Sequence, residues 1–155
     1  MRTKIVLVGN SRVGKSTFVE RVYGAFNPSY APTLGVEVFP VIREGKRSNM
    51  WDTGCSPVLA GPGEIYFVEA DVAAVFFSLV DSSSFSAARG WYEKVREVSP
   101  GAQVVLVGTH LDTPRRSVSE EDISTLSADI GASVFLISSA TGEGVEELAV
   151  AFAAM

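Results

Sequence analysis

Gly9-Asn10-Ser11-Arg12-Val13-Gly14-Lys15-Ser16 reads G-x-x-x-x-G-K-[ST], and the fold is decided here. The preceding Lys4-Ile5-Val6-Leu7-Val8 is a short, apolar, β-branched run of the kind a buried strand uses. The following stretch, Thr17 to Tyr23, puts Phe18, Val19, Val22 and Tyr23 on one side of a helix. Strand, glycine loop and helix are the context in which this pattern binds phosphate. A polyphosphate needs several converging N–H donors. Successive amides in a tight loop at a helix N-terminus supply them, and the helix dipole adds to the attraction. Gly9 and Gly14 let the backbone turn and approach closely. Lys15 is expected to reach the β- and γ-phosphates, and the Ser16 hydroxyl to ligate Mg²⁺, a hard cation that prefers oxygen. Asn10, Ser11, Arg12, Val13, Gly14, Lys15, Ser16 and Thr17 are the expected phosphate contacts. The competing reading is a plain glycine turn. Four fixed positions would arise by chance in well under ~1% of such chains.

The chain has 155 residues, which suits a single domain over 1–155 with one core, and 46% are hydrophobic, enough to fill it. Net charge is −5 and no Lys/Arg run occurs, so nucleic acid and anionic membrane are not expected partners. The single cysteine, Cys55, excludes an internal disulfide and fits a reducing, cytoplasmic setting. Met1-Arg2-Thr3-Lys4 runs directly into the first strand, so no signal peptide is expected. No apolar run reaches the ~18 residues of a membrane span. The last residues, Ala151 to Met155, hold no prenylation cysteine, and residue 2 is not glycine. A monomer without a direct membrane anchor is the expectation.

The pattern predicts strands near 3–8, 36–43, 46–52, 73–80, 103–108 and 133–137, and helices near 15–24, 64–70, 84–98, 119–127 and 143–154. Val72 to Val80 is almost wholly apolar, as is Val104 to Val107, and both suit central strands covered on two faces. Phe85, Ala88, Tyr92 and Val95 share one helical side, as do Val145, Leu148, Ala149 and Phe152; both stripes read as core. Glu44-Gly45 reads as a hairpin turn. Alternating β and α units imply a three-layer α/β fold with helices on both faces of a six-stranded, mostly parallel sheet carrying one antiparallel edge strand. Ligands in such sheets sit beyond the carboxyl ends of the strands, where the phosphate loop falls.

Other polar segments close strands as well. Trp51-Asp52-Thr53 closes the third strand, and an acid there can hold Mg²⁺. Gly108-Thr109-His110-Leu111-Asp112 closes the fifth, and Ile137-Ser138-Ser139-Ala140-Thr141 the sixth. Each alone is an ordinary turn. In order with the phosphate loop, they resemble the five nucleotide-binding motifs of the Ras-superfamily small GTPases, over essentially the whole chain. The resemblance implies a P-loop G domain that binds GTP or GDP with Mg²⁺, held by Ser16, Thr33 and Asp52. It makes the stretch from Phe26 to Gly35 switch I, with Phe26 against guanine, Tyr30 over the phosphates, and Pro32 beside Thr33, the threonine that meets Mg²⁺ and the γ-phosphate. Thr109-His110-Leu111-Asp112 resembles the Rho-type base motif, and Ser138-Ser139-Ala140 the Ser-Ala-Lys motif. Thr33 to Val38 reads Ran-like, and Thr141 to Leu148 Rab-like. The implied partners are effectors, with exchange or activating factors, acting through 26–40 and 53–68. Asp112 implies guanine over adenine, because a carboxylate pairs with guanine N1–H and N2–H₂ and adenine offers no such pair. Sites of this kind reject analogues by roughly 10⁴-fold or more.

The departures weigh on catalysis, for which the resemblance points to Lys15, Thr33 and position 56. Asp52-Thr53-Gly54-Cys55-Ser56 stands where the family has Asp-x-x-Gly-Gln. That glutamine orients the attacking water, and serine is too short to replace it from the same backbone. Losing one transition-state contact costs about 10²–10³ in rate, from an unassisted family rate on the order of 10⁻⁴ s⁻¹. Ser56-Pro57 also resembles the GTPase-deficient Rnd branch. Slow GTP hydrolysis is therefore expected, or none, in which case the protein is a binding module locked in one nucleotide state. The alternative is that another residue positions the water. The Cβ of Cys55 is expected to hinder the approach of its N–H to the γ-phosphate. His110 and Ala140 each lack the lysine stem that packs near the base, which implies weaker affinity than is usual in the family. Arg12 reads as a solvated arginine or as a built-in arginine finger. Gly61-Pro62-Gly63 is poor helix material, and a loose switch II is expected.

Overall fold

The computed structural model describes residues 2–10, 13–23, 29–31, 36–43, 45–52 and 69–155. The run ahead of the glycine loop is β1 (Arg2–Gly9), and the helix after it is α1 (Lys15–Tyr23). There follow β2 (Ser29–Ala31), β3 (Val36–Arg43), β4 (Lys46–Asp52), β5 (Val72–Ser78), α2 (Ser82–Val98), β6 (Gln103–Thr109), α3 (Glu120–Ile130), β7 (Ser133–Leu136) and α4 (Val145–Ala154). One seven-stranded sheet joins them in the order β2-β3-β4-β1-β5-β6-β7.

The sheet corrects the six-stranded expectation. Five neighbouring strands, β4, β1, β5, β6 and β7, run parallel. The antiparallel strand β3 is not the edge: β2 pairs outside it, Tyr30 opposite Glu37. β2 has only three residues, too few for a periodic signal, and its partner alone makes it a strand. The hairpin between β3 and β4 is present, Arg43 opposite Lys46, with Gly45 at φ +78°; Glu44 lies outside the described residues.

Alternation along the strands builds two cores. Val6 and Val8 of β1 face the same layer as Ala73, Val75 and Phe77 of β5, packed on Ala88 and Val95 of α2 and Ile123 and Leu126 of α3. Ile5 and Leu7 point the other way, with Ala74 and Phe76, onto Phe18 and Val19 of α1 and Leu148 and Phe152 of α4. Phe18 meets Phe76 at 5.8 Å and Phe152 at 6.1 Å between ring centroids. Each fully buried side chain of this size contributes about 1.5–3 kcal/mol. The helices therefore cover both faces, as the apolar β5 and β6 require.

Element ends differ for local reasons. β5 stops at Ser78, not at 80, because Asp81 N–H turns back to the Ser78 carbonyl. α2 begins before 84 because the Asp81 carboxylate accepts from Ser83 and Ser84 N–H. α3 runs past 127 to bury Ile130 and stops at Gly131, which is left-handed at φ +66°. α4 starts later than 143, after Gly144 at φ +74°. Of the helix expected over 64–70, only Glu69 and Ala70 are described, and neither is helical. No helix among the described residues is long and apolar enough to cross a membrane.

Candidate functional site

The parallel strands end on one rim: β1 at Gly9, β4 at Asp52, β5 at Ser78, β6 at Thr109 and β7 at Leu136. The phosphate loop lies on that rim because Gly9, at φ +142°, runs against β5; a Cβ there would stand 2.4 Å from the Phe76 carbonyl oxygen. Gly14 is at φ +101° and faces Thr109. Buried Lys15 donates from Nζ to the carbonyls of Gly9 and Asn10, at 2.9 Å each. The ammonium thus clasps its own loop at the mouth of α1.

Two further strand ends brace the loop. Thr109 Oγ1 donates to the Val13 carbonyl at 2.5 Å and lies 3.2 Å from that of Phe77. Asp52, 1% exposed, accepts from Ser16 Oγ at 2.5 Å. A hydroxyl and a carboxylate oxygen side by side form a hard donor pair suited to Mg²⁺. Among the described residues, no cluster of three or more His, Cys, Asp or Glu could hold a metal unaided. Mg²⁺ is commonly bound through one or two protein oxygens together with substrate phosphates and water, so a pair of protein donors suits it.

The far end of the site is built from the loops after β6 and β7. Ser138 Oγ donates to Asp112 Oδ1 at 2.8 Å and accepts from Thr141 N–H at 3.1 Å, so the carboxylate is held by a fixed hydroxyl. The Leu111 N–H bonds the Ile137 carbonyl and ties the two loops together. A pocket of about 270 Å³ runs between Gly14 and Thr17 on one side and Thr109, His110, Asp112, Ser139 and Ala140 on the other. One of the Asp112 oxygens takes the Ser138 bond, and a carboxylate keeps further lone pairs for a ligand. The pocket therefore joins a phosphate-type cradle to a fixed acceptor, the two ends a guanine nucleotide needs.

His110 lines this pocket with a positive φ of 64°, and its Nδ1 lies 2.8 Å from Ser78 Oγ and 3.1 Å from Thr109 Oγ1. Sequence reasoning missed Ser78, which no motif marks. It also missed Trp91, whose indole Nε1 donates to Asn10 Oδ1 at 3.0 Å. Asn10, Val13, Gly14, Lys15, Ser16, Thr17, Asp52, Thr109, His110, Asp112, Ser138, Ser139 and Ala140 all meet on the rim. Tyr30 is placed by its backbone alone, in β2. Ser11, Arg12, Phe26, Pro32, Thr33, Cys55 and Ser56 lie outside the described residues, as do 26–28, 32–35 and all of 53–68. Set against models of known families, the chain matches that of the Ras family over residues 4–154.

Proposed function

The chain belongs to the Ras family, and from that premise we propose that it is a guanine-nucleotide-binding switch that holds GTP or GDP with Mg²⁺. The observation that carries this reading is the pocket between Gly14 and Asp112, with the carboxylate set by Ser138. In the proposed pose the loop amides and Lys15 hold the phosphates, and Ser16 and Asp52, with Thr33, hold the cation. Asp112 accepts from guanine N1–H and N2–H₂. Thr109 keeps the loop and the base wall in register through the Val13 carbonyl. Bound Mg²⁺ would neutralise phosphate charge; the chain's own part is to grip, orient and read the base. Protein effectors, with exchange or activating factors, would be met through 26–40 and 53–68. The protein would act as a cytoplasmic monomer.

Hydrolysis is proposed to be slow, because Ser56 stands at the water-positioning glutamine and Cys55 at the glycine beside it. The same residues favour a second reading, a binding module fixed in one nucleotide state. Chromatography of nucleotide released by denaturing the purified protein tests the first claim. GDP or GTP is expected, and retained adenine nucleotide would refute it. Single-turnover GTP hydrolysis then separates a slow switch, which turns over, from a module, which does not.

A further inference from the structure

Asn10 carries two hydrogen bonds of different origin. Its backbone carbonyl accepts from Lys15 Nζ at 2.9 Å, inside the phosphate loop. Its side-chain Oδ1 accepts from Trp91 Nε1 at 3.0 Å, from the middle of α2. The indole N–H only donates, so this bond has one polarity and turns the amide oxygen of Asn10 toward α2. Trp91 is held in turn: its ring packs on the core under α2 and α3, and Lys94 Nζ lies 5.7 Å from its centroid. A rigid aromatic anchored in one core layer thus fixes the residue whose carbonyl receives the lysine.

We propose that Trp91 is a positioning residue for the phosphate grip. Acting through Asn10, it holds the first bend of the loop so that Lys15 and the loop amides are set before a nucleoside di- or triphosphate arrives. This rests on the guanine-nucleotide reading above. It also makes α2 a mechanical handle on nucleotide retention, since a shift of α2 along the sheet moves Asn10. Preorganisation of this kind acts mainly on how long the ligand stays.

The test is the release rate of a fluorescent GDP analogue, chased with excess GDP, from the intact protein and from the Trp91→Phe, Asn10→Ala and double variants. Trp91→Phe keeps most of the packing area and removes the donor. Release from it is expected to quicken about two- to tenfold, the worth of one hydrogen bond. The double variant is expected to release no faster than the faster single one, because both remove the same bond. The proposal is overturned by unchanged release from Trp91→Phe, even with a lowered melting temperature. Multiplicative effects in the double variant overturn it too. A wild-type protein that takes up no labelled GDP overturns the nucleotide reading and this proposal together. Normal release from a binding-competent Trp91→Phe overturns the proposal alone.

Discussion

Asp112 shows what one residue contributes once its neighbours fix it. The Ser138 hydroxyl orients the carboxylate, so a guanine would meet an acceptor already in place. Replacing it by alanine removes two charge-assisted bonds, each worth about 1.5–3 kcal/mol. Asp112→Ala is expected to weaken GDP binding by about 10²–10⁴-fold and to leave ADP binding unchanged, as calorimetric titration would read. Gly9 is a backbone requirement. A side chain at φ +142°, with its Cβ 2.4 Å from the Phe76 carbonyl, forces β1 and β5 apart. Gly9→Ala is expected to lower unfolding free energy in urea by about 3 kcal/mol or more. In the proposed slow-switch reading catalysis turns on position 56, and Ser56→Gln is expected to raise single-turnover hydrolysis by about 10²–10³-fold. The loop residues were legible because they fall at fixed spacing within one short segment, and Asp112 because Thr109 to Asp112 resembles a base-reading motif. Ser78 and Trp91 were not, because each acts across the fold on a partner far off in sequence, 32 and 81 residues away.

At the scale of elements, the long apolar strands and amphipathic helices could be read from period alone, and their ends could not. Ends depend on caps. Asp81 begins α2 by accepting from Ser83 N–H at 3.1 Å and from Ser83 Oγ at 2.6 Å. The Ser83 hydroxyl bond is the main reason its carboxyl titrates below the usual 3.8. A carboxylate with a depressed folded-state pKa stabilises the fold above the unfolded value and loses that contribution as pH falls through the folded one. Asp81→Ala is therefore expected to cost about 1 kcal/mol at pH 7. Denaturant melts should show the difference from wild type shrinking below pH 3.8. β2 escaped notice for a different reason: three residues are too few to carry a period, and only pairing with β3 defines them. α3 continues past 127 because Ile130, one turn beyond Leu126, is buried on the same face.

For the whole molecule, the sheet is a frame that brings distant turns to one rim. The parallel strands end together, and the loops after β1, β6 and β7 meet around one pocket although its lining runs from Gly14 to Ala140. That convergence was legible from strand order, since a doubly covered parallel sheet places its ligand at the carboxyl ends. The sheet edge was not, because β2 spans only three residues and carries no period of its own. The central claim is that this rim grips a polyphosphate at Lys15 and reads guanine at Asp112. Thermal unfolding in Mg²⁺ with added GDP, GTP or ADP tests it most directly. At a hundredfold excess over Kd, a ligand bound only to the folded state adds about 2.7 kcal/mol, or roughly 5–10 °C for a chain of this size. GDP and GTP are expected to raise the midpoint by that amount while ADP leaves it in place. A midpoint that neither guanine nucleotide moves, or that ADP moves equally, would contradict the account.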